Sequence, residues 1–258
     1  VERHFDTRPI HQGYIETHAC VVSAGQDGHT VIWSSSQGQF MVRAMCALLN
    51  GLDQSQIRAI PAEIGGGFGG KTIVYLEPLA LALSHRTGRP VKMSMTREEV
   101  FQATGPTSGS KSTVKIGVTK DGKIVAGQGT FYLQSGAFPG APIRGAAGCA
   151  FAPYDIANVH SSGFEVVSNR SKVAAYRGPG APIGAHAVEL VLDELAAKLK
   201  MDPIQFRLKN AAKQGTKAAH GPVYPAIGYE QTLRTAMEHP HYKAPLGPNQ
   251  GRGVASGF

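Results

Sequence analysis

The chain has 258 residues, 42% hydrophobic and 17% charged, which excludes a disordered protein and leaves room for one substantial core. Its formal charge is +8, yet the lysines and arginines are scattered, so no block of like charge marks a nucleic-acid-binding arm. Cys20, Cys46 and Cys149 stand far apart with no C-x-x-C, which excludes a zinc ribbon or a cysteine-ligated cluster. The odd cysteine count points to a reducing compartment. With no signal peptide and no membrane-length apolar run, the expected location is the cytoplasm.

Taken in order, IETHACVVSA (15–24) and HTVIWSSS (29–36) read as strands joined by the turn GQDG. Ser36 and Gln39 resemble a capping box, opening a helix through FMVRAMCALLNG that Gly51 ends. QIRAIPAEI (56–64) reads as a third strand. After the glycine-rich stretch, TIVYLEPLALALSHRTG reads as a helix with Pro78 near its start. PVKMSMT (90–96) reads as a strand, and Thr96 with Glu99 predicts a capped helix. The run 111–137 is the clearest element, two alternating strands around an Asp-Gly turn. Residues 136–153 read as a loop rich in Gly, Ala and Pro, followed by strands over 156–168 and 172–177. The segment 183–200 shows helical spacing, PIQFRLKN starts a shorter helix, and a loose tail from 213 carries one helix over 229–238. The expected class is α+β, mixed sheets with helices packed on them.

EIGGGFGGKT (63–72) poses the functional question, because Gly65, Gly70, Lys71 and Thr72 satisfy G-x-x-x-x-G-K-[ST]. An ATP or GTP site would need a magnesium-holding acid at a strand end. The candidate, LVLDE (190–194), instead shows helical spacing that sends Asp193 and Glu194 toward solvent. The long hairpin also breaks the βαβ alternation of such enzymes. The alternatives are an anion nest of converging N–H groups, bare backbone for a bulky cofactor, or a tight turn without ligand. His11 and His18 read as structural, His239 and His241 as solvated, and Glu16, Glu63 and Glu77 as core or capping residues.

EIGGGFGGK, preceded by WSSSQGQF (33–40) and followed by AAYRGPGAP (174–182) and ELVLDELAAKLKMDPIQFRLKN (189–210), resembles the molybdopterin-binding subunit of the xanthine dehydrogenase and aldehyde oxidase family. HQGYIETHA (11–19) and residues 76–99 are similar to the same family. The resemblance implies a molybdenum hydroxylase whose metal hangs from the dithiolene of a pterin, here in its cytosine dinucleotide form, with no protein side chain ligating the metal. Carried over residue by residue, Gln37 matches the glutamine that hydrogen-bonds an oxygen ligand of molybdenum. Phe68 and Gly69 match the Phe-Gly beside the metal, with Gly66, Gly67 and Gly70 giving the backbone its close approach. Arg177 matches the arginine near substrate and cofactor, so Gln37 and Arg177 are the expected catalytic pair.

The chain also departs from the family pattern. The family's catalytic base is a glutamate in a Gly-Glu motif near the end of the subunit, and this chain contains no Gly-Glu. General-base catalysis is worth about two to four orders of magnitude, so the chain alone is expected to be incomplete as an enzyme. Residues 1–212 read as a portion of the cofactor-binding domain, and 213–258 as a segment leading to a second molybdopterin domain that carries the glutamate. Thr72 stands where purine-oxidising members have a glutamate, Ile183 where many have a glutamine, and Gly178 where the carbon monoxide branch has a cysteine. That leaves aldehydes, N-heterocycles or aromatic thioesters as substrate classes. The implied partners are iron–sulfur and FAD subunits or domains, since the chain has no cluster ligands of its own. A nucleotide triphosphatase and a non-catalytic fragment of the fold are the rival readings.

Overall fold

A computed structural model describes residues 1–258. Its elements in chain order are β1 (Glu2–Thr7), β2 (Ala19–Ala24), β3 (Thr30–Ser34), α1 (Gln39–Asn50), β4 (Ile57–Pro61), α2 (Glu77–Thr87), β5 (Val91–Ser94), α3 (Arg97–Ala103), β6 (Ser110–Val118), β7 (Ile124–Gly136), α4 (Ile143–Cys149), β8 (Asn158–Val167), α5 (Ala181–Lys198), α6 (Pro203–Lys209), α7 (Tyr229–Glu238) and α8 (Pro240–Lys243). They form two four-stranded sheets, ordered β4-β3-β2-β5 and β1-β6-β7-β8. Each sheet is antiparallel apart from one parallel pair, β3 with β4 and β7 with β8. A parallel neighbour needs a crossover, and the chain supplies one each time, α1 between β3 and β4 and α4 between β7 and β8. The class is α+β. No helix is long and apolar enough to cross a membrane.

Two cores follow from the two sheets. Cys20, Val22 and Ile32 of the first pack against Val42, Cys46 and Ala47 of α1 and Ala80 and Leu81 of α2. The larger core joins Val114, Ile116, Ile124, Phe131 and Leu133 to α5 through Ala187, Val188, Val191, Leu192 and Leu195. These α5 positions recur at helical spacing, and each fully buried Val or Leu contributes roughly 1.5–3 kcal/mol.

Four local expectations are corrected. The α1 cap is Gly38 with no side-chain bond; Ser36 Oγ instead donates to the Lys71 carbonyl, because the neighbouring loop claims it. Residues 136–153 contain α4, whose small residues let it lie against α5: a Cβ on Gly184 would stand 2.2 Å from the Ala146 carbonyl oxygen. Residues 172–177 form no strand but an irregular span laced to others, with Val173 N–H bonded to Ser135 O and Ala174 N–H to Pro106 O. Asp193 and Glu194 are half-buried rather than free in solvent: Asp193 pairs with the buried Arg207, Glu194 with Arg3 and Lys198. β1 has no counterpart among the expected strands. Its sequence ERHFDT is polar, and pairing with β6 rather than propensity makes it a strand.

The segment after 212 carries α7 and α8 and returns to the core. Ser256 N–H donates to Glu189 Oε2, and Tyr229 shares a 2.6 Å hydrogen bond with Ser256 Oγ. Glu189 also receives Arg207 Nε at 3.0 Å and the Tyr154 hydroxyl, so one buried carboxylate ties three parts of the fold to α5.

Candidate cofactor site

The glycine stretch leaves β4 after Pro61 and crosses to α2, which starts only at Glu77. Gly66 (φ +92°), Phe68 (φ +51°) and Gly69 (φ +100°) all lie in the left-handed region. A left-handed Phe is uncommon and marks a backbone held by its surroundings. Phe68 is 44% exposed, so no side-chain burial holds it there. Its carbonyl accepts the Arg177 N–H at 2.9 Å, and the Arg177 loop provides that hold.

Gln37 follows β3 and meets the same loop from the other side. Its Oε1 accepts the Gly69 N–H at 2.9 Å and the Lys71 N–H at 3.3 Å. Its own N–H donates to the Lys71 carbonyl at 2.9 Å. Two backbone donors fix which end of the amide is oxygen, so Nε2 is turned away from them and makes no hydrogen bond within the chain. All the expected site residues, Gln37, Gly66, Gly67, Phe68, Gly69, Gly70 and Arg177, are therefore brought to one place.

What the glycines leave room for is partly the chain itself. A Cβ on Gly67 would stand 2.5 Å from Gln37 Oε1, on Gly69 2.7 Å from the Ala175 carbonyl oxygen, and on Gly70 2.7 Å from the Tyr14 ring. The missing side chains thus let Gln37, Tyr14 and the Arg177 loop close on one another. What remains unengaged is a row of donors: the N–H groups of Gly66, Gly67 and Phe68 have no partner within the chain. The Arg177 side chain is exposed, with no carboxylate within ion-pair distance. Consecutive unengaged N–H groups, a primary amide donor and a free guanidinium suit an oxygen-rich anionic group. No group of three His, Cys, Asp or Glu side chains gathers that could hold a bare metal ion.

The phosphate-loop reading fails on the same geometry. Lys71, which would have to reach phosphate, is 1% exposed, with Nζ 2.6 Å from Glu16 Oε2 and 5.0 Å from the centroid of Tyr14. Thr72, which would hold magnesium, donates its hydroxyl to the Gly69 carbonyl. Of the other acids, Glu77 is buried between the Ser34 hydroxyl and the Tyr75 N–H, and Glu63 is exposed.

Beneath the loop lies a group that sequence reasoning missed. The Tyr14 hydroxyl bonds His18 Nε2 at 2.7 Å and lies 3.3 Å from Thr104 Oγ1, which also meets His11 Nε2 at 2.8 Å. Gln12 Nε2 donates to the Ala175 carbonyl, fastening the Arg177 loop. Burial, reinforced by the Lys71 and His11 charges, pushes His18 down to about 4. For Glu16 burial opposes ionisation. The hydrogen bonds from Lys71 and Gly65 N–H outweigh it and hold the carboxyl below its usual range. The only signal for this group was composition, HQGYIETH placing two His, a Tyr and a Glu in eight residues. Nothing in that spacing says they lie under residues 65–71.

Residues 1–211 match the family model described as the molybdopterin cofactor-binding domain. The probable hypoxanthine oxidase XdhD of Escherichia coli (strain K12) is 31% identical over 275 residues, covering 99% of this chain and 29% of that protein. The nicotinate dehydrogenase large molybdopterin subunit of Eubacterium barkeri is 32% identical over 243 residues, 92% of this chain and 57% of that one. Among solved structures, aldehyde oxidoreductase from Desulfovibrio gigas superposes with a TM-score of 0.87 at 30% identity, over 94% of this chain and 27% of its own. The chain thus spans 29% and 57% of the lengths of these two curated relatives. It belongs to the molybdopterin cofactor-binding domain family, in the group of xanthine dehydrogenases and aldehyde oxidoreductases.

Proposed function

We propose that this chain is the molybdopterin-cofactor-binding part of a cytoplasmic oxidoreductase that hydroxylates an aldehyde, N-heterocycle or aromatic substrate. The observation that carries the reading is the double clamp on the glycine loop, Gln37 Oε1 on the Gly69 N–H and Phe68 O on the Arg177 N–H, both at 2.9 Å. It sets one amide donor, three backbone donors and one cation around the same loop. When bound, the molybdenum cofactor supplies the two-electron oxidation that places water-derived oxygen on the substrate.

The chain's own residues bind and orient. Gln37 Nε2 donates to an oxygen of the cofactor, a task for a neutral amide that does not compete for the metal. The N–H groups of Gly66, Gly67 and Phe68 bind anionic oxygen, and Arg177 faces negative charge developing on the substrate. Two acids close to the loop are engaged elsewhere: Glu16 is held by Lys71, and Glu77 by Ser34 and Tyr75. The family resemblance implies a base supplied by a glutamate of the second molybdopterin domain, to which 213–258 leads from the portion spanning 1–212. Iron–sulfur and FAD partners take the electrons, and the cofactor is the cytosine dinucleotide form. Thr72 commits its hydroxyl to the loop rather than to substrate, which supports a non-purine substrate.

The test is metal and nucleotide analysis of the assembly isolated under mild conditions, with Gln37→Ala and Arg177→Ala variants beside it. Molybdenum near one per assembly with cytidine nucleotide is expected. Loss of one charge-assisted hydrogen bond in each variant lowers turnover by about tenfold or more. Absence of molybdenum from the wild-type assembly, or unchanged turnover in both variants, overturns the reading.

A further inference from the structure

Lys71 is the one buried ammonium next to the candidate site, and the binding reading leaves it without a task. Its side chain is fully buried, yet its ion-pair partner Glu16 retains 34% of its side-chain exposure. Glu16 holds both ends of the glycine loop. At the start its Oε2 accepts the Gly65 N–H at 2.8 Å, while its own N–H donates to the Gly65 carbonyl. At the end the same oxygen takes Lys71 Nζ at 2.6 Å. The Tyr14 ring lies between, 5.0 Å from Nζ, and a Cβ on Gly70 would stand 2.7 Å from it.

The Lys71 backbone meanwhile grips Gln37. Its N–H donates to Gln37 Oε1, and its carbonyl accepts both the Gln37 N–H and the Ser36 hydroxyl. One residue thus joins the pedestal of Glu16 and Tyr14 to the amide that faces the cofactor. We propose that Lys71 is a positioning residue: its ammonium, seated on Glu16 and Tyr14, sets the height of the loop end and so the direction of the Gln37 amide. This rests on the cofactor reading for its consequence. A lysine that in a nucleotide loop would reach the ligand here faces inward and acts through Gln37.

Lys71→Met keeps the length of the buried chain and removes the charge. Half-exposed Glu16 can then turn to water, so the fold is expected to survive. The readout is molybdenum retained per assembly over prolonged dialysis, in wild type, Lys71→Met, Gln37→Ala and the double variant. If Lys71 acts through Gln37, Lys71→Met shortens retention about tenfold, the equivalent of one hydrogen bond to a charged group. It then adds nothing further in the Gln37→Ala background. Additive losses, or no loss from Lys71→Met alone, overturn the inference. Should Lys71→Met fail to assemble, Glu16→Gln breaks the same pair at constant volume and is read in the same cycle. Amide exchange across residues 66–72 decides the matter independently of metal. Faster exchange there with β6 and β7 unchanged supports the positioning role, and unchanged exchange sinks it. A wild-type assembly without molybdenum refutes the cofactor reading alone, while the exchange result still decides on Lys71.

Discussion

His18 offers a sharp test of the buried group beneath the loop. It is 4% exposed and shares a 2.7 Å hydrogen bond with the Tyr14 hydroxyl, and burial lowers its pKa from 6.5 to about 4. A group depressed in the folded state favours folding above its unfolded value, and that contribution is lost as pH falls toward the folded value. Below 6.5 the unfolded chain takes up a proton that the native chain refuses until about 4. For this single site the loss between pH 8 and pH 5 comes to about 2 kcal/mol. Water reaching the site and charge screening reduce it to about 1–2 kcal/mol. The charges facing the ring are Lys71, His11 and Glu16. Glu16 is itself held low, so it loses stability only at more acid pH, outside the window. His11, lowered by burial and then by Arg97, adds to the slope in the same direction. Urea unfolding of the chain at pH 8, 7, 6 and 5 is the assay, with His18→Gln as control, since glutamine keeps an acceptor for Tyr14 but does not titrate. Wild type should lose about 1–2 kcal/mol more than the variant across that range. Parallel losses in the two proteins would refute the reasoning.

Two further outcomes follow from the geometry. Arg207→Met leaves the buried Glu189 carboxylate without its guanidinium and should cost about 3–5 kcal/mol in urea unfolding. Adding Glu189→Gln should recover most of it, and a cost below about 1 kcal/mol for the single variant would mean the pair is not buried as described. Gly67→Val places a Cβ 2.5 Å from Gln37 Oε1, an atom at the end of a flexible side chain. The fold should hold while Gln37 swings away, so molybdenum content falls with little change in melting temperature. Normal molybdenum in that variant would contradict the role given to the loop.

The amphipathic elements were legible from local pattern because their determinants are local. The Thr96–Glu99 capping box forms as read, with reciprocal bonds of 3.2 and 2.7 Å. The Asp-Gly hairpin, the αL glycine that ends α1 and the apolar stripe of α5 were equally visible. So was the family, since Gln37, the glycine loop and Arg177 resemble one family in their order along the chain, and these residues do meet in space. What only tertiary structure decided was the direction in which groups face. Lys71 has the same neighbours in sequence whether it reaches for phosphate or turns inward. Glu16, 55 residues away, and the ring of Tyr14 draw it inward. The α4 helix is too small and too glycine-rich to announce itself, and exists because Gly145 and Gly184 admit its contacts with the Pro179–Ala181 turn and α5. Spacing along a chain records which face of an element is apolar. It carries no record of which distant carboxylate, ring or carbonyl will meet that face, and here those meetings fix the shape of the glycine loop.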